Sequence, residues 1–320
     1  MPAPPRQCDV ASHDPWYPHI VNLAKRFGFA DDDRVLILHA DDVGSSHAAN
    51  AAAFECLEEG SLTSGSVIMP APWFPEAAAY ARGHPEADLG VHLTLTCEYD
   101  SYRWRALTDR LTGPGLYDDE GYLWRTVAEA VEHVSVPEAE RELRAQVETA
   151  LAGGIDATHL DTHMGTVVQP EFIETYVSLG LEYGIPIFAY RPNPERLRRA
   201  GLGEFWDALE PQLKRLDDAA FPVLDSVLVS TLEHSPEEKE AYFKRLFAEL
   251  RPGLTHFLIH PAVRSAEVTA MADTAPMRAR EYELFRDRSM AEELARLGVK
   301  TIDYRRIRDA YRSGALRTGG

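Results

Sequence analysis

Short apolar runs alternate with amphipathic stretches along most of this chain. Val35–His39 (VLILH) is the first run, and its apolar and β-branched residues predict a buried strand. The stretch His47–Glu59 that follows places Ala49, Ala53 and Cys56 at helical spacing and ends at a glycine. Seven further runs predict strands at Ser66–Met69, Leu89–Leu93, Ala157–Leu160, Pro186–Tyr190, Leu224–Val229, Thr255–Ile259 and Val299–Ile302.

The segments between these runs are mostly helical in pattern. Helices are predicted at Pro75–Arg82, Pro137–Leu151, Glu171–Tyr183, Glu195–Leu216, Pro236–Leu250 and Met277–Leu297. Alternation of this kind implies parallel strands joined by helical crossovers. Eight predicted strands within 320 residues favour an α/β fold of the closed, TIM-like (β/α) barrel type over an open sheet. The glycine motifs of nucleotide-binding sites do not follow any of the strands.

The alternation is interrupted after the third predicted strand. Residues 96–136 contain several glycines together with aromatic residues such as Trp104 and Tyr122. Long loops in compact domains are usually functional or disordered, and the aromatic residues argue against disorder. We therefore expect an ordered, aromatic-rich excursion over one end of the barrel. The chain is interpreted as an N-terminal extension, residues 1–30, followed by a single domain, residues 31–320.

The composition indicates which classes of binding partner and which compartment to expect. Thirty-three basic and 51 acidic residues give a formal charge of −18, which argues against nucleic acid or an anionic membrane surface as a partner. Cys8, Cys56 and Cys97 form no CxxC pair and suggest free thiols in a reducing compartment. The N-terminus lacks the apolar core of a signal peptide. These features predict a cytoplasmic protein with a small-molecule substrate, and they are compatible with a homodimer.

Ionisable residues collect at the ends of four predicted strands. These groups are His39-Ala40-Asp41-Asp42, His92, the HxDxH stretch His159–His163, and His260. Each has an ordinary explanation by itself, since Asp pairs are common in turns and single histidines are often buried structural residues. In a (β/α) barrel, however, the carboxyl ends of the strands converge on one mouth, where active sites lie. We therefore expect the four groups to meet.

This convergence predicts a hydrolytic metal site. One carboxylate and two imidazoles from these groups form a ligand set suited to Zn, Co, Ni, Mn or Fe, with positions left open for water. A second carboxylate would then lie beside the ion, able to take a proton from bound water, and His260 opposite it as a general acid for a leaving amine. His159 and Asp161 are expected behind the ligands, with Asp161 orienting a ligand imidazole.

The motifs that contain these residues resemble those of the YdjC-like (ChbG-type) carbohydrate deacetylases. The resemblance extends from about Arg34 to Tyr304 and includes the excursion. Its motifs are Leu38–Gly44 (LHADDVG), Gly90–Thr96 (GVHLTLT), Thr158–His163 (THLDTH) and Ile259–Pro261 (IHP). It implies a distorted β/α barrel and removal of N-acetyl groups from amino sugars. By position it also implies Asp42, His92 and His163 as metal ligands, Asp41 as general base and His260 as general acid. It also implies one divalent ion, for which magnesium is the common assignment and zinc is chemically suitable.

One departure concerns the substrate. Family members of the chitooligosaccharide type have further histidines after HxDxH, whereas this chain continues with Met164-Gly165-Thr166-Val167. The proposed ligands are retained, but the lining of the sugar site differs, which puts a chitooligosaccharide substrate in doubt. Four residues are candidates for sugar contacts, by hydrogen bonding or stacking: Arg191, Asp225, Trp104 and Tyr122.

Two other interpretations remain open at this stage. A metal-dependent amidase, lyase or isomerase acting on a non-sugar substrate would use the same ligands. A carbohydrate-binding protein with a structural metal would need the aromatic residues but neither a general acid nor a general base. Trp104 and Tyr122 could instead pack the excursion onto the barrel. Arg191 could equally be an ordinary surface arginine, and Asp225 an aspartate at the start of a strand.

Overall fold

Seven parallel strands form the centre of the computed structural model, which describes residues 22–229 and 231–317. The strands alternate with helices along the chain, as the sequence predicts. The strands are β1 (Arg34–Val43), β2 (Ser64–Val67), β3 (Leu89–Leu93), β4 (Leu160–Thr162), β5 (Ser226–Leu228), β6 (Gly253–Ile259) and β7 (Val299–Thr301).

The strands are arranged in the order β4-β3-β2-β1-β6-β5. Strand β6 pairs with Arg34–Ala40 on one edge of β1, and the other edge is shared by β7 at its start and β2 at its end. Two isolated parallel bridges, Leu160 to Ile187 and Tyr190 to Leu224, connect the outer strands β4 and β5 through an irregular segment. The result is a distorted (β/α) barrel, which confirms the predicted fold class.

The irregular segment corrects one predicted strand. Pro186–Tyr190 forms a single bridge on each side instead of a continuous ladder. Its backbone still contributes hydrogen bonds, from the Leu160 amide to the Pro186 carbonyl and from the Phe188 amide to the Leu160 carbonyl. The apolar run therefore forms part of the barrel wall, but its single bridges do not make it a continuous strand.

Helices cover the outside of the sheet. Their bounds are α1 (His47–Glu58), α2 (Phe74–Gly83), α3 (Val127–His133), α4 (Val136–Ala152), α5 (Ile173–Tyr183), α6 (Pro194–Arg199), α7 (Gly203–Asp218), α8 (Pro236–Ala248), α9 (Ala266–Met271), α10 (Ala275–Phe285), α11 (Ser289–Arg296) and α12 (Tyr304–Arg312). Two predicted helices are each divided in two, at residues 200–202 and 286–288. Gly201 has a left-handed backbone (φ 79°), which ends α6 and separates it from α7.

The excursion after β3 is ordered and packs onto the barrel. Trp104, Leu116 and Leu123 are buried in the main apolar core. Its backbone is held by a buried carboxylate on α4, because the amides of Leu107 and Thr108 both donate to Glu142. The excursion therefore forms a fixed wall beside the carboxyl ends of the strands.

Part of the predicted N-terminal extension also packs against the domain. Leu23, Ala24 and Phe27 lie in a second apolar cluster with Ile302 and Tyr304. Residues 1–21, which include Cys8, lie outside the described part of the chain. Within that described part, every helix is too short or too polar to cross a lipid bilayer.

Candidate metal centre and active site

Asp41 and Asp42 both face the barrel mouth although they are adjacent in β1. In a regular strand neighbouring side chains point to opposite faces. Here the register of β1 against β2 shifts between Ala40 and Val43, and Asp42 has a left-handed backbone with φ 63°. Such a bulge re-aims a side chain, and a strained non-glycine residue of this kind costs about 1–3 kcal/mol. The irregularity therefore turns both carboxylates toward the same space.

Asp42, His92 and His163, which we call the outer cluster, come together at this mouth. Asp42 Oδ1 lies 3.5 Å from His92 Nε2 and 3.1 Å from His163 Nδ1, and one atom from each residue lies within 4.8 Å of the others. All three residues are buried. Asp42 Oδ1 receives no well-aligned hydrogen bond from the described residues, despite these short contacts. One oxygen and two ring nitrogens facing a common point fit a divalent cation.

Each side chain of the outer cluster is oriented by a partner that contacts the atom pointing away from the candidate cation position. Asp161 Oδ1 lies 2.8 Å from His92 Nδ1, and Glu98 Oε2 lies 2.9 Å from His163 Nε2. These carboxylates fix the ring orientations and leave the inward nitrogens free, as is usual around metal-binding histidines. Asp161 therefore has the position expected from the sequence, whereas Glu98 was missed.

A third orienting residue was also missed by the sequence analysis. Arg278 on α10 donates from Nη1 to Asp42 Oδ2 at 2.7 Å, which leaves Oδ1 facing the two imidazoles. Burial opposes ionisation of Asp42, but Arg278 and the imidazoles outweigh it and hold the Asp42 pKa well below its usual range. Asp42 is therefore an anionic ligand candidate at neutral pH.

The surrounding carboxylates raise the pKa of both imidazoles in the outer cluster. Burial opposes protonation of His163, but Glu98 and Asp42 outweigh it and raise its pKa to about 9. Asp161 and Asp41 likewise raise the pKa of His92 above its usual range against the effect of burial. These protons balance the excess of carboxylates, and a divalent cation would replace them because metal ligands must be deprotonated.

Asp41 and His260 flank the outer cluster. Asp41 Oδ2 lies 4.0 Å from His92 Nε2 and 3.8 Å from His260 Nε2, and Asp41 Oδ1 contacts His39 Nδ1 at 2.8 Å. The His260 side chain is 17% exposed, which makes it accessible from the mouth. Burial lowers its pKa, although the nearby carboxylates oppose this shift. The structure thus places a carboxylate and an imidazole beside the candidate metal position.

A buried ion pair holds the backbone of His260. Glu281 Oε2 accepts from the His260 amide at 2.7 Å, and its other oxygen pairs with Lys239 Nζ at 2.6 Å. Both charged side chains are fully buried. The ion pair fixes the start of the loop that carries His260.

His159 lies deeper than the outer cluster. Its Nε2 is 2.9 Å from His39 Nε2, and its ring stacks on Tyr304 at 4.0 Å between centroids. It is therefore connected to the site through His39 and Asp41, whereas Asp161 contacts a cluster member directly. The two residues that were expected together behind the ligands have different positions.

Two of the four predicted sugar contacts, Asp225 and Arg191, have partners within the protein. Asp225 directly precedes β5, at the end of the strand opposite the mouth, and its carboxylate accepts from the amides of Leu23 and Leu254. Arg191 pairs with Asp217 at the end of α7. Each residue therefore has a structural partner, and a sugar contact at either position stays a prediction.

The two aromatic candidates pack the excursion. Trp104 is buried and donates from Nε1 to the Thr96 carbonyl at 3.0 Å, with its ring 5.9 Å from that of His163. Tyr122 is contacted by the guanidinium groups of Arg103 and Arg105, at 5.1 and 5.3 Å from the ring centroid. Cation–π contacts of this kind occupy the tyrosine ring. The packing interpretation accounts for both residues better than sugar stacking.

Comparison with known proteins gives a consistent set of similarities. A family model described as YdjC-like protein matches residues 35–296. A carbohydrate deacetylase from Thermus thermophilus is 35% identical over 272 residues, which cover 82% of this chain and 89% of that protein. A carbohydrate deacetylase from Geobacillus stearothermophilus is 27% identical over 274 residues, covering 85% of this chain and 97% of that protein.

A solved structure shares the fold. A crystal structure from Enterococcus faecalis, provisionally described as a cellobiose-phosphate cleavage protein, superposes with a TM-score of 0.71 at 22% identity. The superposition covers 86% of this chain and 99% of the other. This similarity supports the distorted barrel described above.

Proposed function

This chain belongs to the YdjC-like protein family, and on that premise we propose that it removes an N-acetyl group from an amino sugar or oligosaccharide with one divalent cation. The curated relatives named carbohydrate deacetylase support the deacetylase activity, because one of them matches 82% of the chain. The observation that carries the finer proposal is the meeting of the outer cluster with Asp41 and His260 at one mouth. This set supplies cation ligands, a base and an acid within one buried site.

Asp42, His92 and His163 would hold the cation. A bound divalent ion polarises a carbonyl oxygen and lowers the pKa of water from about 15.7 towards 7. Asp161, Glu98 and Arg278 keep the inward atoms of these ligands pointing at one position. Either magnesium or zinc is compatible with this role, because one carboxylate and two imidazoles do not select a single ion.

Asp41 and His260 would move the protons of the reaction. Asp41 Oδ1 is held by His39, so Oδ2 is the oxygen that faces the outer cluster and can accept a proton from the attacking water. His260 Nε2 lies 3.8 Å from that oxygen and reaches the mouth, where it can donate a proton to the departing amine. Cleavage of the amide then yields acetate and a free amino sugar.

The residue that follows His163 bears on which sugar the site would accept. Met164, which follows it, has a left-handed backbone with φ 53° and a side chain that is 43% exposed. An exposed apolar side chain next to a proposed ligand differs from the further histidines of chitooligosaccharide-type members. We therefore propose an N-acetylated amino sugar as the substrate class and leave its chain length to experiment.

A substrate panel tests the proposal. Metal-reconstituted protein is incubated with N-acetylglucosamine, its short oligomers and simple N-alkyl acetamides, and acetate release is measured. We expect acetate from at least one sugar, little from the simple amides, and none from His260→Ala. Release from the simple amides alone would instead indicate a non-sugar amidase, and sugar binding without release would indicate a binding protein.

A further inference from the structure

A second set of metal-binding side chains lies deeper in the barrel than the outer cluster. It comprises His39, His159, His256 and Asp161, which we call the inner cluster, and all four residues are buried. His39 precedes Asp42 by three positions, and His159 and His256 precede His163 and His260 by four. The three histidines therefore lie one layer below the mouth on β1, beside β4 and on β6. The proposed reaction leaves His159 and His256 without a role.

The distances within the inner cluster suit a cation. His39 Nε2 lies 2.9 Å from His159 Nε2 and 3.6 Å from Asp161 Oδ2, and His159 Nε2 lies 3.9 Å from the same oxygen. Tetrahedral zinc with bonds of about 2.0–2.1 Å separates its ligand atoms by roughly 3.3 Å. The three distances bracket this value, as do the 3.1 and 3.5 Å distances measured in the outer cluster.

His256 supplies an independent indication. Its Nδ1 lies 2.8 Å from the Tyr304 hydroxyl, and its ring is 4.7 Å from the His39 ring. Its Nε2 is buried and has no hydrogen-bond partner among the described residues. Leaving such an atom unsatisfied costs about 1–3 kcal/mol, so buried polar atoms of this kind usually have a function or a missing partner.

The backbone of β3 makes room for the His159 imidazole. A Cβ atom on Gly90 would lie 2.4 Å from Cε1 of His159, so only glycine at this position admits the ring. The packing therefore leaves space for the His159 ring within the inner cluster.

We propose that the inner cluster binds a second cation, a zinc-like transition-metal ion, through His39, His159 and Asp161, with His256 beside His39. Imidazole-rich sites favour such ions over magnesium. Asp161 would then connect the two sites, since its Oδ1 orients His92 while its Oδ2, which also accepts from Ser66 at 2.7 Å, faces the inner imidazoles. This site does not depend on the deacetylase reaction.

Counting bound metal tests the proposal. Protein stripped with a chelator is saturated with Zn²⁺, separated from free ion, and its metal content per chain is measured. We expect two equivalents in the unmodified protein and in the control His133→Gln, and one in His159→Gln and in Asp42→Asn. One equivalent in the unmodified protein, lost in Asp42→Asn and retained in His159→Gln, would overturn the inner site and leave the proposed function standing.

A second measurement avoids reliance on variants that fold poorly. Anomalous diffraction at the zinc edge from crystals of the unmodified, zinc-saturated protein should show a peak among His39, His159 and Asp161, besides the peak at the outer cluster. A single peak at the outer cluster, with the His39 and His159 ring nitrogens still in hydrogen-bond contact, would overturn the proposal.

Discussion

Arg278 donates a hydrogen bond to Asp42 over 2.7 Å, although 236 positions separate the two residues in the chain. The guanidinium occupies Asp42 Oδ2, so Oδ1 is the oxygen available to a cation. Arg278 also lies near the Tyr99 hydroxyl, at 3.5 Å, and is itself buried. Helix α10 is therefore part of the candidate site, although it contributes no proposed ligand.

Replacing Arg278 should weaken divalent-ion binding. We expect Arg278→Met to reduce the affinity of the outer cluster by about 10–100-fold, as for other residues that orient metal ligands, and Arg278→Lys to reduce it less. Calorimetric titration of metal-stripped protein measures the affinity. Arg280→Met is the matched control, because Arg280 lies on the same helix and pairs with Glu240 and Glu283 instead. Equal affinity in Arg278→Met and Arg280→Met would contradict this role.

Glu98 should act through His163. Glu98→Gln keeps an acceptor for His163 Nε2 but removes the charge, so we expect a fall in divalent-ion affinity of roughly tenfold, and a larger fall in Glu98→Ala. Titration of both variants against Glu120→Gln, an excursion carboxylate that pairs with Arg103 and Arg125, measures the effect. Native affinity in Glu98→Ala would show that His163 needs no orienting partner.

The sequence was sufficient to predict the barrel and the meeting of the outer cluster, because both follow from local patterns. Alternating strands and helices imply parallel strands, and polar residues such as His92 and His163 at their carboxyl ends must then converge. The structural partners of Asp225 could not be predicted, because the amides of Leu23 and Leu254 lie 202 and 29 positions away in the chain.

Other features had no recognisable sequence signal. Arg278 lies in a densely charged helix, where a buried arginine looks like a solvated one, and Glu98 lies inside an irregular excursion. The bulge that turns Asp42 toward Asp41 depends on the pairing of β1 with β2, which is a tertiary property. The glycine that admits His159 was visible as Gly90, but its purpose depends on a residue 69 positions away.

Gly90 should be intolerant of a side chain. Gly90→Ala places a methyl group against the His159 ring, and overpacking of this kind typically destabilises by about 1–3 kcal/mol. Urea denaturation measures the free energy of unfolding. Gly83→Ala is the control, because no atom lies within 4 Å of the added Cβ at the end of α2, and it should be neutral or slightly stabilising. Equal stability of the two variants would contradict the close packing at His159.

Asp88 should make stability depend on pH. Burial raises its pKa from 3.8 to about 6, against hydrogen bonds from Ser64, Thr158 and the Arg305 amide. The folded state therefore holds the proton more tightly than the unfolded state. The resulting stabilisation is complete below about pH 4 and is lost as pH rises through about 6, a change of roughly 3 kcal/mol.

Unfolding by urea at several values between about pH 4 and pH 7 tests this assignment. Asp88→Asn cannot ionise at this position, so its stability should decline less than that of the unmodified protein over this range. Asp119→Asn, which removes an exposed carboxylate, serves as the control for a change in net charge. Parallel stability curves for the unmodified protein and Asp88→Asn would refute the assignment.

Acetate release before and after removal of bound metal tests the central claim most directly. The protein is stripped with a chelator, assayed on the best N-acetylated sugar, and assayed again after addition of Mg²⁺ or Zn²⁺, in parallel with Asp42→Asn and His163→Gln. The account predicts that stripping abolishes release, that a divalent cation restores it in the unmodified protein, and that neither variant recovers. Full activity in the stripped protein, or native activity in reconstituted Asp42→Asn, would contradict it.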